Sequence, residues 1–123
     1  MKIETLVEAF DDTMSYDSKV KMDIPLKSGT VIPMGTVVKC EFDAENTRVF
    51  RVTVVLQGDE FSFKMPYRAA NKYLSGFTKE PSMRSLEKYN NDGICPSVLG
   101  ARVEPDGHGP HGEPSWMLVL GLI

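Results

Sequence analysis

The sequence predicts a single domain that is mainly β with short helices (an α+β chain), built as a small five-stranded barrel. Between residues 18 and 65, apolar and polar residues alternate with a period of two, which is typical of strands with one face in a core. The 123-residue chain is 41% hydrophobic and 25% charged, a composition typical of globular proteins. Because a chain of this length buries about two-thirds of its unfolded surface, we expect one domain over residues 1–123.

The N-terminal part, residues 1–14, is predicted to form a short amphipathic helix. Apolar side chains recur at Ile3, Leu6, Val7 and Phe10, a spacing that places them on one stripe of a helix. An isolated helix of this length is marginal in water, so the stripe has to dock on another surface. We expect it to dock on the barrel of its own chain. The alternative is docking on a partner chain or on a second copy, which would make a homo-oligomer.

Residues 18–75 are predicted to supply the first four barrel strands and a helical turn. Pro25 places the first strand at an edge or at a bulge, and Gly58-Asp59 is a two-residue connection typical of a hairpin. The apolar positions that define the four strands are Val20, Met22, Ile24 and Leu26; Val38, Cys40 and Phe42; Phe50, Val52, Val54 and Leu56; and Phe61, Phe63 and Met65.

The alternation stops at Pro66, and two short helices are predicted beyond it. A proline at the first helical position, followed by Tyr-Arg-Ala-Ala-Asn-Lys-Tyr-Leu and then Gly76, indicates one or two helical turns. Pro81-Ser82 begins a second helix that ends before Gly93. We therefore interpret residues 76–114 as a helix-plus-loop insertion ahead of the last strand.

Residues 115–123 are predicted to form the closing strand of the barrel. The run Ser-Trp-Met-Leu-Val-Leu-Gly-Leu-Ile is apolar on both faces, which is typical of a fully buried strand, so we expect Trp116 to be buried. With this fifth strand the plan resembles a Src-homology-3-like barrel. The long first loop (residues 27–35) and the helical turn after Pro66 stand where such a barrel needs them.

The loop that leads to Trp116 holds both histidines of the chain, His108 and His111, beside Asp106, Glu104 and Glu113. Imidazole and carboxylate groups suit a transition-metal site. A metal-binding protein or metal-dependent enzyme at residues 104–113 is therefore one hypothesis, with His108, His111 and Asp106 as ligands. The H-x-x-H spacing, with glycine and proline between, matches no known ligand motif. We expect a hairpin loop built from turn residues, with no metal and no cofactor.

Catalytic motifs are absent from the sequence, which has no G-x-S-x-G elbow, no P-loop and no G-x-G-x-x-G. No catalytic residue is predicted, and we do not expect an enzyme. Cys40 and Cys95 are interpreted as reduced, partly buried thiols in a reducing compartment. The alternative for Cys95 is a pair with His108 or His111, because a nucleophilic cysteine needs a base nearby.

Positive charge is concentrated in residues 64–88, which hold six basic and two acidic residues in a chain of net charge −3. Basic groups interleaved with aromatic ones can bind a phosphate backbone, so a nucleic-acid-binding barrel that uses this face is one hypothesis. The preferred interpretation is a solvated helix face. The residues predicted to contact a partner, if this face binds one, are Lys64, Arg68, Lys72, Arg84 and Lys88.

The C-terminal third carries a series of short motifs. They are Leu86-Glu87-Lys88, Asp92-Gly93-Ile94, Ser97-Val98, Val103-Glu104-Pro105-Asp106-Gly107, Gly112, Pro114-Ser115-Trp116 and Leu120-Gly121-Leu122-Ile123. This pattern resembles the C-terminal part of small uncharacterised proteins encoded by bacteriophages and other bacterial mobile elements. The resemblance implies a phage or prophage accessory protein that acts inside a bacterium, and it transfers no catalytic or binding role.

These observations favour a non-enzymatic binding or accessory protein that contacts a protein partner in the cytoplasm of a bacterial host. Acidic residues interrupt the first apolar positions, which argues against a signal peptide. The longest apolar run, residues 116–123, is far shorter than the roughly 20 residues that span a bilayer, so no membrane partner is expected. Three alternatives stay open: a nucleic-acid-binding small barrel using residues 64–88, a metal protein at residues 104–113, and a small virion component.

Overall fold

The structure, a computed structural model, describes residues 14–123. The predicted N-terminal helix lies outside this range except for Met14, which is in a turn. Four strands of the first half form an antiparallel sheet, in the spatial order first, fourth, fifth, sixth, and the second and third pair as a separate hairpin. The six strands are β1 (Ser15–Lys19), β2 (Ile24–Pro25), β3 (Val31–Ile32), β4 (Val37–Glu41), β5 (Val49–Leu56) and β6 (Asp59–Pro66).

The sheet buries one of its two faces. Val37 and Val55, which point away from the core, are 62% and 61% exposed, while their strand neighbours Val38 and Val54 are buried. The prediction of which alternate residues face the core is therefore confirmed in β4 and β5. The buried residues of these strands are Val38, Cys40, Phe50, Val52 and Val54.

The hairpin of β5 and β6 is regular, with Leu56 paired to Asp59. Its two turn residues are Gln57 and Gly58, with φ angles of 52° and 85°. Positive φ at both positions is typical of a type I′ turn, whose twist matches that of the strands, and glycine adopts it without steric cost. The hairpin is confirmed, but the turn lies one residue earlier than the predicted Gly58-Asp59.

The first predicted strand, from Val20 to Leu26, is wrong as a single element. β1 ends at Lys19, and Met22 is 45% exposed. The chain then bends and continues as β2, which pairs with β3, a strand inside the predicted long first loop at residues 27–35. Pro25 helps to keep this hairpin short, because proline has no N–H to extend a ladder.

Helix α1 (Tyr67–Tyr73) follows β6 directly and packs on the buried face of the sheet. Its N-cap residue is Pro66, one position before the helical position predicted for that proline. The ring of Tyr67 lies 4.9 Å from that of Phe50, and Phe77 stacks on Phe50 at 5.1 Å. Aromatic pairs at these separations stabilise a core beyond simple area burial.

The chain that leaves α1 covers part of the free edge of β1. The N–H of Lys21 donates to the carbonyl oxygen of Tyr73 at 2.8 Å, and the N–H of Ser75 donates to that of Lys19 at 3.0 Å. Val20 and Leu74 form a bridge between these two segments. The sheet is therefore closed off along part of β1, and β6 forms its other edge.

The second predicted helix is present as α2 (Met83–Asp92). Its N-cap is Ser82, whose Oγ accepts the N–H of Ser85 at 3.2 Å. The helix ends at Gly93, which adopts the left-handed conformation. A short hairpin follows, made of β7 (Cys95–Pro96) and β8 (Arg102–Val103).

Residues 115–123 do not form the predicted closing strand. They contain helix α3 (Trp116–Val119), which Ser115 caps by accepting the N–H of Leu118 at 3.1 Å. Trp116 is buried, as expected, and so are Met117 and Val119. A short run that is apolar all round suits a buried helix as well as a buried strand, so periodicity could not separate the two.

The five-stranded barrel resembling Src-homology-3-like barrels is therefore wrong. Closure would need a fifth strand paired with β6, and the segment expected to provide it is helical. The described residues instead form a four-stranded antiparallel sheet, with α1 on its buried face and two short hairpins beside it. Among these residues the longest helix has ten, and none is long and apolar enough to cross a membrane.

Candidate binding groove beside strand β6

A groove of about 560 Å³ runs along the outer edge of β6. Every residue from Phe61 to Pro66 lines it. Because successive side chains of a strand point to opposite faces, a groove that contacts six consecutive residues must run along the edge of the strand. At roughly 3.4 Å per residue, this lining is about 17 Å long.

The opposite wall of the groove is the segment from Ile24 to Ser28, which includes β2. Ala69 and Tyr73 of α1 complete the lining between the two walls. The groove therefore lies where an additional strand would extend the sheet from β6 toward the β2–β3 hairpin.

The lining is mainly apolar, and its charged groups are positive. Phe61, Phe63 and Leu26 are partly buried and pack against the core. Lys27 and Lys64 are exposed, and no carboxylate is found among the described residues that line the groove. These walls suit a ligand that presents apolar groups together with negative charge.

The backbone of β6 offers unpaired hydrogen-bonding groups to this groove. In an antiparallel pair, residues alternate between those that bond to the neighbouring strand and those that point away. Leu56 and Asp59 flank the two-residue turn and form a bonded pair, and at the far end the N–H of Tyr67 donates to Arg48 at 3.0 Å. The backbone groups of Ser62 and Lys64 consequently point outward, and the described residues provide no partner for them.

The five basic residues predicted to contact a partner are all exposed, and they lie on three elements. Lys64 is on β6 and lines the groove. Arg68 and Lys72 are on α1, and Arg84 and Lys88 are on α2. The five residues were predicted to share one face, but the fold places them on three separate elements. Of the five, Lys64 lines the groove.

The two basic residues of α1 have partners within the chain. Nε and Nη2 of Arg68 donate to the two carboxylate oxygens of Glu80 at 2.5 and 3.1 Å. These hydrogen bonds and the charge of Glu80 raise the pKa of Arg68 above its ordinary value. Nζ of Lys72 lies 5.3 Å from the centre of the Tyr73 ring, a cation–π contact. Such contacts favour a solvated helix face over a phosphate-binding one.

Glu113 is the chemical centre of the loop at residues 104–113. It has no exposed surface, and its carboxyl group accepts from Ser97 Oγ at 2.8 Å and from the N–H of His111 at 2.9 Å. The same Ser97 hydroxyl accepts the N–H groups of Leu99 and Ala101. Gly109 passes so close that a Cβ there would lie 2.0 Å from Glu113. The network fastens this loop to the β7–β8 hairpin.

The three candidate metal ligands do not form a cluster. His108 and Asp106 are exposed, whereas Nδ1 of His111 lies 3.1 Å from the carbonyl oxygen of Ser15 and its ring packs against Tyr16. Within residues 14–123, no group of three or more histidine, cysteine or carboxyl side chains could hold a metal ion. The contacts found at this loop are structural ones.

Both thiols are buried and free. Burial, with a smaller contribution from Asp17, raises the pKa of Cys40 to about 12, so this thiol is protonated at neutral pH and is a poor nucleophile. Sγ of Cys95 donates to the carbonyl oxygen of Pro96 at 3.3 Å, and neither histidine is among its hydrogen-bond partners in the described chain. The alternative Cys–His pair thus has no geometric support.

Tyr67 carries a buried hydroxyl without a hydrogen-bond partner among the described residues. Burial raises the pKa of Tyr67 above its usual range, and the nearby carboxyl group of Glu113 adds to the effect. The phenol is therefore neutral at physiological pH and serves as part of the core.

The groove was not predicted from the sequence. Phe61, Phe63 and Met65 were predicted to form one face of a strand, but this face was expected to be buried in the barrel. The available signal was the proline at the end of β6, because proline is tolerated on edge strands and disfavoured in central ones.

Comparisons with protein-family models, with curated proteins and with solved structures find no match for this chain.

Proposed function

We propose that this protein is a non-enzymatic binding module that holds a short segment of a protein partner in the groove beside β6. The observation that carries the proposal is the coincidence, in one groove, of partly exposed aromatic side chains, two lysines and an open strand edge. A segment of a folded or unfolded protein chain can match all three features, because it presents apolar groups, carboxylates and backbone amides together.

The chemistry of the walls supports a peptide over a small hydrophilic ligand. Phe61, Phe63 and Leu26 present apolar surface, and burying such surface contributes about 25 cal/mol per Å². Lys27 and Lys64 add a preference for acidic residues, which acts mainly on specificity and on the association rate. The groove length of about 17 Å corresponds to roughly six extended residues.

The setting of this module is also a proposal. The C-terminal motifs resemble those of bacteriophage and mobile-element proteins, which supports an accessory protein acting in the cytoplasm of a bacterial host. Such a protein would act by occupying a partner, and it would need no catalytic group of its own.

Selection of peptides from a randomised display library tests the proposal. Peptides enriched on the wild-type protein should be rich in apolar and acidic residues. In titrations followed by amide NMR shifts, the largest changes should fall on residues 24–28 and 61–66.

Matched variants connect binding to the groove. Ala69→Glu places a long side chain in the groove and repels the acidic residues of the selected peptides, so it should weaken their binding at least tenfold, whereas Ala44→Glu, at an exposed turn position, should leave it unchanged. Ser28→Glu, on the exposed rim of the opposite wall, repeats the test where Ala69→Glu perturbs the fold. Enrichment of no peptide, shifts located on another surface, or equal binding by all variants would contradict the proposal.

Salt-sensitive binding of a single-stranded oligonucleotide to α1 and α2, with no peptide bound, would favour the nucleic-acid alternative.

A further inference from the structure

We infer that the partner segment binds as an added β-strand on β6, with alternate apolar side chains against Phe61 and Phe63 and an acidic side chain beside Lys64. This inference rests on the proposed function and specifies how the groove is used. It commits to an extended segment of another protein as the occupant.

The hydrogen-bonding pattern of β6 is the first argument. Ser62 and Lys64 each direct one N–H and one C=O group outward. Among the described residues, these two donors and two acceptors have no partner. An added strand would pair with all four. Pro66 has no N–H to offer, so the ladder would end there.

The two edges of the sheet differ in a way that favours β6. The edge at β1 already pairs with residues 73–75, through Lys21, Tyr73 and Ser75. The edge at β6 is eight residues long, and protein edges of this length are usually covered or protected by charge and proline. Here Lys64 and Pro66 give some protection, and the groove leaves space beside the strand.

The side-chain pattern of an added strand follows from the register. Residues of a neighbouring strand that lie opposite Ser62 and Lys64 project to the outer face of the sheet, as those two residues do. Residues between them project toward the buried face, beside Phe61 and Phe63. Cross-strand neighbours of opposite charge stabilise pairing, and like charges destabilise it, so the position beside Lys64 favours an acidic side chain.

The groove lining supports the same charge preference. Lys27 is on the opposite wall and Lys64 on β6, and the described lining has no carboxylate to compete for them. A segment in which apolar and acidic residues alternate satisfies both walls at once.

A designed peptide provides the probe. The sequence Thr-Val-Glu-Val-Glu-Val-Thr, capped at both ends, presents valines to one face and glutamates to the other when extended. It should bind the wild-type protein about fivefold more tightly than the peptide with lysines in place of the glutamates. Lys64→Glu should reverse this preference, and Lys79→Glu, an exposed lysine outside the groove lining, should leave it unchanged.

Backbone methylation separates strand addition from looser binding. If the peptide pairs antiparallel to β6, its glutamate N–H groups face Ser62 and Lys64, so N-methylation of both glutamates should abolish binding. N-methylation of two valines, whose N–H groups then face away, should weaken binding much less. A parallel strand would direct the valine N–H groups to β6 and would reverse this order. Equal binding by both methylated peptides would overturn strand addition while leaving groove binding, and thus the proposed function, intact.

Amide hydrogen exchange tests the same hydrogen bonds through the backbone amides of β6. The amides of Ser62 and Lys64 should exchange rapidly in the free protein and at least tenfold more slowly with the acidic peptide bound. Those of Phe61 and Phe63, which bond to β5, should be protected in both states. Protection of Ser62 and Lys64 in the free protein would show that the edge is already occupied. That result, or no binding of the acidic peptide at millimolar concentration, would overturn the inference.

Discussion

Glu113 shows how one residue can fasten a loop without regular secondary structure. A carboxyl group with no exposed surface requires hydrogen-bond donors, because an unpaired polar group in a core is costly. The donors come from Ser97 and from the backbone of His111. Gly109 leaves the space that the carboxyl group occupies. One acid, a serine hydroxyl and one glycine thus supplement the backbone turns that order the loop at residues 104–113.

The variant Ser97→Ala tests this network. It removes the donor to Glu113 and the acceptor for the N–H groups of Leu99 and Ala101, and each buried group left unpaired costs about 1–3 kcal/mol. We expect the free energy of unfolding to fall by about 2–3 kcal/mol, measured by urea denaturation. Ser62→Ala removes an exposed hydroxyl and should stay within about 0.5 kcal/mol of the wild type. Equal effects of the two changes would contradict a structural role for the network.

Part of this arrangement could be predicted at the residue scale. The turn-forming residues of the loop indicated an ordered hairpin loop, and such turns are present. The buried carboxyl group could not be predicted, because Glu113 and the exposed Glu104 look alike in the sequence. What distinguishes them is the proximity of Ser97, sixteen residues earlier, which depends on tertiary packing.

Among the elements, those with local signals were predicted and those that depend on tertiary contacts were not. Helix α2 and the β5–β6 hairpin were predicted and are present. The helix has a serine cap and a glycine stop, and the hairpin has strict alternation around a turn that contains glycine, so each has a signal within its own sequence. The C-terminal run has no such periodicity. Its helix is selected by the Ser115 cap and by burial of Trp116, whose Nε1 donates to Thr78 Oγ1 at 2.8 Å.

Trp116 anchors α3, and its removal should show how much this element contributes. Trp116→Ala should lower the free energy of unfolding by about 3–5 kcal/mol, because it deletes a large buried ring and leaves a cavity. Leu122→Ala changes an apolar residue of the same segment that is 45% exposed, and it should cost less than about 0.5 kcal/mol. Chemical denaturation measures both. A large loss at Leu122 would favour a C-terminal segment that is buried to its end, as the strand hypothesis required.

At the scale of the whole molecule, the sheet has one covered face and one exposed face. The sequence predicted which residues of β4 and β5 point inward, because a period of two is a property of the strand itself. Its prediction that a fifth strand closes the sheet into a barrel was wrong, because closure depends on which segment reaches the edge of β6. No segment of residues 14–123 pairs with that edge, and the candidate groove runs along it.

Neighbouring valines on β5 provide the test of this one-sided architecture. Val54 is 3% exposed and Val55 is 61% exposed. Val54→Lys would bury an unpaired charge, so we expect a loss of more than about 4 kcal/mol or loss of the folded state. Val55→Lys places its ammonium group in solvent opposite Glu60, and its effect should stay within about 0.5 kcal/mol.

The milder pair Val54→Ala and Val55→Ala keeps the comparison measurable where the first variant unfolds. Truncating Val54 removes buried methyl groups and should cost about 2 kcal/mol, whereas truncating Val55 should cost less than about 0.5 kcal/mol. Urea denaturation of the wild type and the four variants gives the free energies. Comparable losses at both positions would show that the outer face of the sheet is also covered, since a solvated face has no packing to lose.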